Sequence, residues 1–260
     1  MKKVAFLILL FLSIRSFAME CGMNGMTFYP LQREISLNSM FIIQGYFMSE
    51  KTVDSFGDNR DVFLVSVQGD SIKLSLKRII KGQMSLTQAI FKPEKSLNAN
   101  TTYFLRYSNQ SDSETREMRK WNSKKKVHEK VFWRTSDTKE LPPINPNLKI
   151  DFLKTEVIPY GCGPEANAIF EVSNKSQSEI WYKTEVMDTK TGKSKIYYIS
   201  EWQGKLNVGH GMCAGAFTFK RKSNYKVRFT PMNTDGKALK TTQWIEFKNP
   251  YDNYKSPFGN

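Results

Sequence analysis

The chain has 260 residues, 40% of them hydrophobic and 13% aromatic, and a formal net charge of +14. That apolar content excludes a disordered polymer, and the length allows one large domain or two of ordinary size. Two histidines and three cysteines leave little material for histidine-dependent catalysis and none for a zinc-type cysteine array.

The chain opens on an export signal. Lys2 and Lys3 precede an apolar run from Val4 to Ile14, and Ser16-Phe17-Ala18 sets small residues at the −3 and −1 cleavage positions. The run is about eleven residues long, against the ~20 that a membrane-spanning helix needs. A signal over 1–18 and a soluble mature chain beginning near Met19 are therefore expected. Lipidation of Cys21 is not, because Glu20 stands where a small residue is required. The short, lysine-led signal reads as bacterial, which would leave the acceptor patterns at Asn100, Asn109 and Asn174 without sugar. A secreted or periplasmic location follows. Removing Lys2, Lys3 and Arg15 leaves a charge of about +11. Outside the cytoplasm that field favours an acidic envelope polymer or an unknown protein as partner, with no nucleic acid expected.

Residues 27–137 carry short apolar runs divided by turn residues. Met40 to Phe47 reads as a strand, with Gly45 a candidate bulge. Val62–Val67 and Ile72–Ile80 form a hairpin around Gln68-Gly69-Asp70-Ser71. Ile72, Leu74 and Leu76 alternate with Lys73, Ser75 and Lys77, giving one buried face and one wet one. After a strand through Tyr103 and Tyr107 comes a polar excursion, Ser108 to Lys130. Arg116, Arg119, Lys120, Trp121, Lys124, Lys125 and Lys126 concentrate there. A tryptophan among cations can stack on a sugar, a base or an acidic partner, and this is the candidate binding loop. Its alternative reading is a mobile, solvated excursion. Val131 to Thr135 ends the series.

A proline-containing linker spans 138–147, and a second run of strands spans 148–249 ahead of a tail at 250–260. Ala166, Ala168, Phe170 and Val172 alternate inward, Trp181 is a candidate core aromatic, and Thr191-Gly192 turns the chain. Cys162 and Cys213 both sit in glycine-rich turns of this half and are the expected disulfide, with Cys21 left over. Closing that loop would stabilise by roughly 3–4 kcal/mol in the chain-entropy model. If both cysteines began antiparallel neighbouring strands they would lie too far apart to bond. His210, Met212 and Cys213 are soft-metal ligand types, but no second histidine is near, and neither metal nor cofactor is expected. Met19, Met23 and Met26 read as a mobile end.

Leu97-Asn98-Ala99-Asn100-Thr101-Thr102-Tyr103 resembles the entry to strand F of fibronectin type III and related immunoglobulin-like domains. Phe219 stands six residues before Tyr225 in the same way, and Asn233-Thr234-Asp235-Gly236 resembles the following turn. The resemblance implies two tandem β-sandwiches, all-β, in which Tyr103 and Tyr225 bond back to the backbone as tyrosine corners. The second half departs from the pattern in having Arg221-Lys222 in place of the usual Pro-Gly. No pair of carboxylates or phosphate-cradling loop stands out. The expectation is a non-catalytic binding or structural protein of the envelope or surface. Two alternatives stay open: a periplasmic assembly factor resembling the pilus chaperones, which work by β-strand addition, and a hydrolase with an unrecognised site.

Overall fold

The computed structural model describes residues 24–58, 60–122, 125–252 and 254–255. The expected signal at 1–18, Cys21 and Lys124 lie outside them. Among the described residues no helix is long and apolar enough to cross a membrane.

The first half is one eight-stranded sheet bent over on itself. Its strands are β1 (Gly25–Tyr29), β2 (Glu34–Ile35), β3 (Phe41–Tyr46), β4 (Val62–Ser66), β5 (Ser71–Lys81), β6 (Leu86–Pro93), β7 (Thr102–Tyr107) and β10 (Phe132–Thr135). The order is β1-β3-β6-β5-β4-β7-β10-β2, with β10–β2 the parallel pair. β5 makes the bend. Val62 of β4 pairs with Leu74, beyond which β5 pairs with β6, and a register shift falls between Leu76 and Arg78. The fold-over brings β3 and β10, far apart in strand order, face to face, with the Phe41 and Trp133 rings 4.8 Å apart. Phe28, Ile43, Leu64, Leu74, Phe91 and Leu105 fill the interior with them.

Two short helices close one end. In α1 (Ser49–Ser55) the chain crosses directly over β3: a Cβ on Gly45 would lie 2.4 Å from Ser49 O and 2.8 Å from Val53 Cγ2. The expected bulge at Gly45 is therefore corrected. The β3 register runs unbroken on both sides, and the glycine is there to admit the helix. In α2 (Asp112–Glu117) Ser111 and Glu114 form a reciprocal capping box. Met26 belongs to β1 and lies 3.7 Å from the Tyr107 hydroxyl, so at least this methionine is not part of a loose end.

Among the described residues the second half has seven strands: β11 (Lys149–Ile158), β12 (Glu165–Ser173), β13 (Ile180–Asp188), β14 (Ser194–Ser200), β15 (Lys205–His210), β16 (Tyr225–Asn233) and β17 (Ile245–Phe247). They make a three-stranded sheet, β11-β12-β15, and a four-stranded one, β14-β13-β16-β17. Phe170 of the first meets Phe229 of the second at 5.1 Å, with Ala168, Leu206, Val208 and Val227 around them.

The halves share a seam. β3 and β6 are buried on both faces: Phe41, Ile43, Ala89 and Phe91 turn into the first interior, while Ile42 and Ile90, joined by Ile80, belong to the same apolar cluster as Phe170. That cluster crosses the linker, where Ile144 is itself buried. Each of these isoleucines contributes about 2 kcal/mol on burial. Polar groups lock the seam. Gln88, buried, donates to Tyr198 O (2.8 Å) and Gln44 Oε1 (2.9 Å), and its own Oε1 accepts from Tyr198 N. Met84 and Gly215 exchange backbone hydrogen bonds, and Met40 N donates to Thr234 O.

Both tyrosines named from the sequence are buried at strand starts. The Tyr103 hydroxyl accepts from Asn98 N at 2.9 Å and the Tyr225 hydroxyl from Lys220 N at 2.6 Å. Three residues before each tyrosine the backbone turns left-handed, at Asn100 (φ 52°) and Lys222 (φ 63°). The second is unusual, since a lysine side chain gains nothing there.

Candidate functional site

The polar excursion between β7 and β10 is folded rather than loose. After α2 the chain makes a hairpin of β8 (Arg119–Asn122) and β9 (Val127–Lys130), pairing Arg119 with Lys130, Lys120 with Glu129, Trp121 with His128 and Asn122 with Val127. Directly opposed residues share a face, which divides the hairpin into an inner and an outer side.

The inner side is tied down. Lys120 Nζ donates to Leu31 O at 2.6 Å, and burial pulls its amine below the ordinary lysine range. Glu129 accepts from Asn122 Nδ2 (3.0 Å), from Arg33 (2.5 Å) and from Lys125 (3.0 Å). These donors, Asn122 foremost, hold its carboxyl down at about 2. Arg33 also lies over the Phe132 ring, 4.3 Å from its centroid.

The base is anchored more deeply. Arg60 meets both oxygens of Glu114 at 2.5 Å, with its Nε on Ser108 O. That pair is largely enclosed, at 15% and 11% side-chain exposure, and Arg60 is the main reason that the Glu114 carboxyl is held down at about 2. Thr52 and Ser49 of α1 donate to Glu114 and Glu117, so both helices brace the hairpin.

The outer side carries Arg119, Trp121, His128 and Lys130, all exposed. Trp121 is 53% exposed and its ring lies 5.0 Å from that of His128. Arg119 stands directly opposite Lys130, and a like-charged cross-strand pair is locally unfavourable. An anion set between them relieves the repulsion. Exposed Lys126 extends the positive edge at the turn, while Lys125, also exposed, is paired with Glu129.

Of the residues expected from the sequence, Arg119, Trp121, Lys125 and Lys126 are exposed on this hairpin. Lys120 is corrected: it faces inward and is occupied by Leu31 O. Arg116 belongs to α2, outside the hairpin. His128 and Lys130 were missed as site members. Their signal was the period-two spacing either side of the lysine-rich turn, which puts them across from Trp121 and Arg119.

His210 is buried, with Nδ1 at 2.8 Å from Gly211 O and Nε2 at 3.1 Å from the Tyr251 hydroxyl. Among the described residues no group of three or more His, Cys, Asp or Glu has the geometry to hold a metal. Cys162 lies in the β11–β12 turn and Cys213 follows β15. Since β12 and β15 are antiparallel, these turns fall at the same end of the sheet, and a Cβ on Gly163 would lie 3.7 Å from Met212 O. The two turns are thus neighbours, but no bond joins Cys162 to Cys213 in this structure, and the expected pairing is corrected.

No family model matches the chain, and no curated protein matches it. Among solved structures, a pullulanase from Anoxybacillus sp. LM18-11 complexed with maltotriose superposes with a TM-score of 0.25 and 9% identity, covering 84% of this chain and 25% of that one. A cytokine receptor complex superposes with a TM-score of 0.28 and 8% identity, covering 86% and 96%. The chain thus spans about a quarter of the pullulanase chains it matches. Likenesses this loose carry no argument about activity.

Proposed function

We propose that the chain is an exported, non-catalytic binding protein of the bacterial envelope that holds an acidic envelope polymer on the outer face of the β8–β9 hairpin. In this reading residues 27–137 and 148–249 are two immunoglobulin-like domains of the fibronectin type III kind, in tandem after a cleaved signal at 1–18. The observation that carries the binding reading is the outer face itself: two like charges opposed across the hairpin, beside an exposed tryptophan, on a base braced by two helices. Such a face attracts anions and offers an aromatic platform to sugar rings.

The test is a titration of the mature protein with polygalacturonate, a soluble acidic glycan, followed by tryptophan fluorescence. Binding is expected at low salt and to fade as the ionic strength rises. Replacing Arg119 and Lys130 together by Gln should weaken it about tenfold or more, ~1.4 kcal/mol. Trp121→Ala should weaken it while shifting stability by less than about 0.5 kcal/mol, as for an exposed side chain. Binding that survives both changes sinks the proposal.

Non-reducing peptide mapping of the mature protein determines how its cysteines are bridged.

A further inference from the structure

Among the described residues the longest strand at a sheet edge is β11, ten residues bonded to β12 on one side only. An edge of this length presents a row of backbone donors and acceptors to any chain that can pair with it. β11 is also poorly covered. Phe152 is 40% exposed, Leu153 46% and Ile158 36%, with Tyr160 at 41% just beyond the strand. Apolar side chains gathered on an open edge mark an interaction surface.

The register with β12 shows which partner fits. Ile150, Phe152, Thr155 and Val157 stand opposite buried Val172, Phe170, Ala168 and Ala166, and so share the inner face. Lys149, Asp151, Lys154 and Glu156 take the outer one. The register shift between Phe152 and Lys154 leaves Leu153 unmatched, which returns Lys154 to the side that Lys149 and Asp151 occupy. The outer face therefore reads plus, minus, plus, minus. Turned antiparallel, that order is its own complement. Lys149 meets Glu156 of a second copy and Asp151 meets Lys154, each twice about a two-fold axis near Phe152. Both copies carry the bulge, one on each side of the axis, so the flanking pairs stay matched.

Asp151 has the most to gain. Its neighbour on β12 is Glu171, a like charge, which has Lys205 on its far side. Asp151 has only the open edge. Lys154, paired with Glu156 along its own strand at 2.6 Å, is the cation that a second copy brings to it.

We propose that the chain forms a two-fold homodimer by antiparallel pairing of β11 with β11, joining two three-stranded sheets into one of six. Backbone hydrogen bonds and apolar contact supply the attraction, and the four charge pairs set the register. This does not depend on the hairpin reading, since β8 and β9 belong to the first half.

Sedimentation velocity of the mature protein over rising concentration tests it, and a reversible monomer–dimer equilibrium is expected. Asp151→Lys sets lysine against lysine at two places and should weaken dimerisation about tenfold or more. The Asp151→Lys/Lys154→Asp exchange restores opposite charges across the axis and should recover most of that loss. Arg119→Gln/Lys130→Gln should dimerise as the parent does, which separates this surface from the hairpin. Thermal melts confirm that each variant is folded. The proposal is overturned if the parent stays monomeric up to its highest soluble concentration, or if folded Asp151→Lys dimerises as tightly as the parent. It is overturned equally if the double exchange recovers nothing.

Discussion

The two halves solve the same packing problem differently. The first bends one continuous sheet around its interior through β5. The second leaves two separate sheets of three and four strands. Their last connections differ more. Between β7 and β10 the first half inserts a capped helix and a hairpin, whereas after β16 the second turns tightly through Asn233–Gly236, with Gly236 at φ 87°. Elaboration has gone where a buried ion pair and two helices can support it. The plain connection of the second half instead serves the seam: Asp235 accepts from Ser36 of the first half and from Leu141 N of the linker.

The largest effect expected from breaking this contrast is at the Arg60–Glu114 pair. Arg60→Ala leaves a mostly enclosed carboxylate without its partner and should destabilise by about 3 kcal/mol in chemical denaturation. The hairpin should then lose protection in hydrogen exchange while β11–β17 keep theirs. The pair also predicts an acid response. Glu114 titrates at about 2 in the folded chain, below its ordinary 4.5. Its contribution is therefore complete above pH ~4.5 and is lost as pH falls from there towards ~2. Stability measured across that window should fall less steeply in Arg60→Ala than in the parent.

Next in size is the seam. Gln88→Ala removes the side chain that pairs with both backbone groups of Tyr198, leaving them unmatched at the seam. A loss of about 2 kcal/mol is expected, with faster proteolysis in the linker. An unchanged denaturation midpoint would show that the two sandwiches hold their places without it.

The smallest effect sharpens the comparison rather than breaking it. Asn100 and Lys222 occupy equivalent left-handed positions three residues before the two tyrosines. Lys222→Gly should stabilise by about 1 kcal/mol by relieving that strain. Asn100→Gly should change stability by less than about 0.5 kcal/mol, because asparagine already tolerates the conformation. Equal responses at the two corners would refute the assignment of strain to Lys222.

Much of the strand pattern could be read from the residues. β4 and β5 showed it best, because one face of each meets water and the alternation of Ile72, Leu74 and Leu76 with polar neighbours survives. β6 was not read, because both of its faces are covered and Ala89-Ile90-Phe91 runs on without a polar phase. Helices of seven and six residues are too short to display a helical period. The hairpin was legible only as composition: cations around Trp121 were visible, but not which side each faced, so Lys120 was counted in and Lys130 left out. A cavity beside Leu31 left no trace in any local stretch, since Leu31, Lys175, Ile180 and Glu201 meet only once the chain has folded.

The doubly covered strands also bear on how the chain comes into being. Synthesis runs from the N-terminus, and domains form in that order. Everything needed for the first sandwich, through Thr135, emerges before the strands that shield Ile42, Ile80 and Ile90. For that interval a greasy plank of sheet faces water. The C-terminal half is thus a late-arriving cover for its elder neighbour, and a nascent chain stalled in the linker is a sticky one.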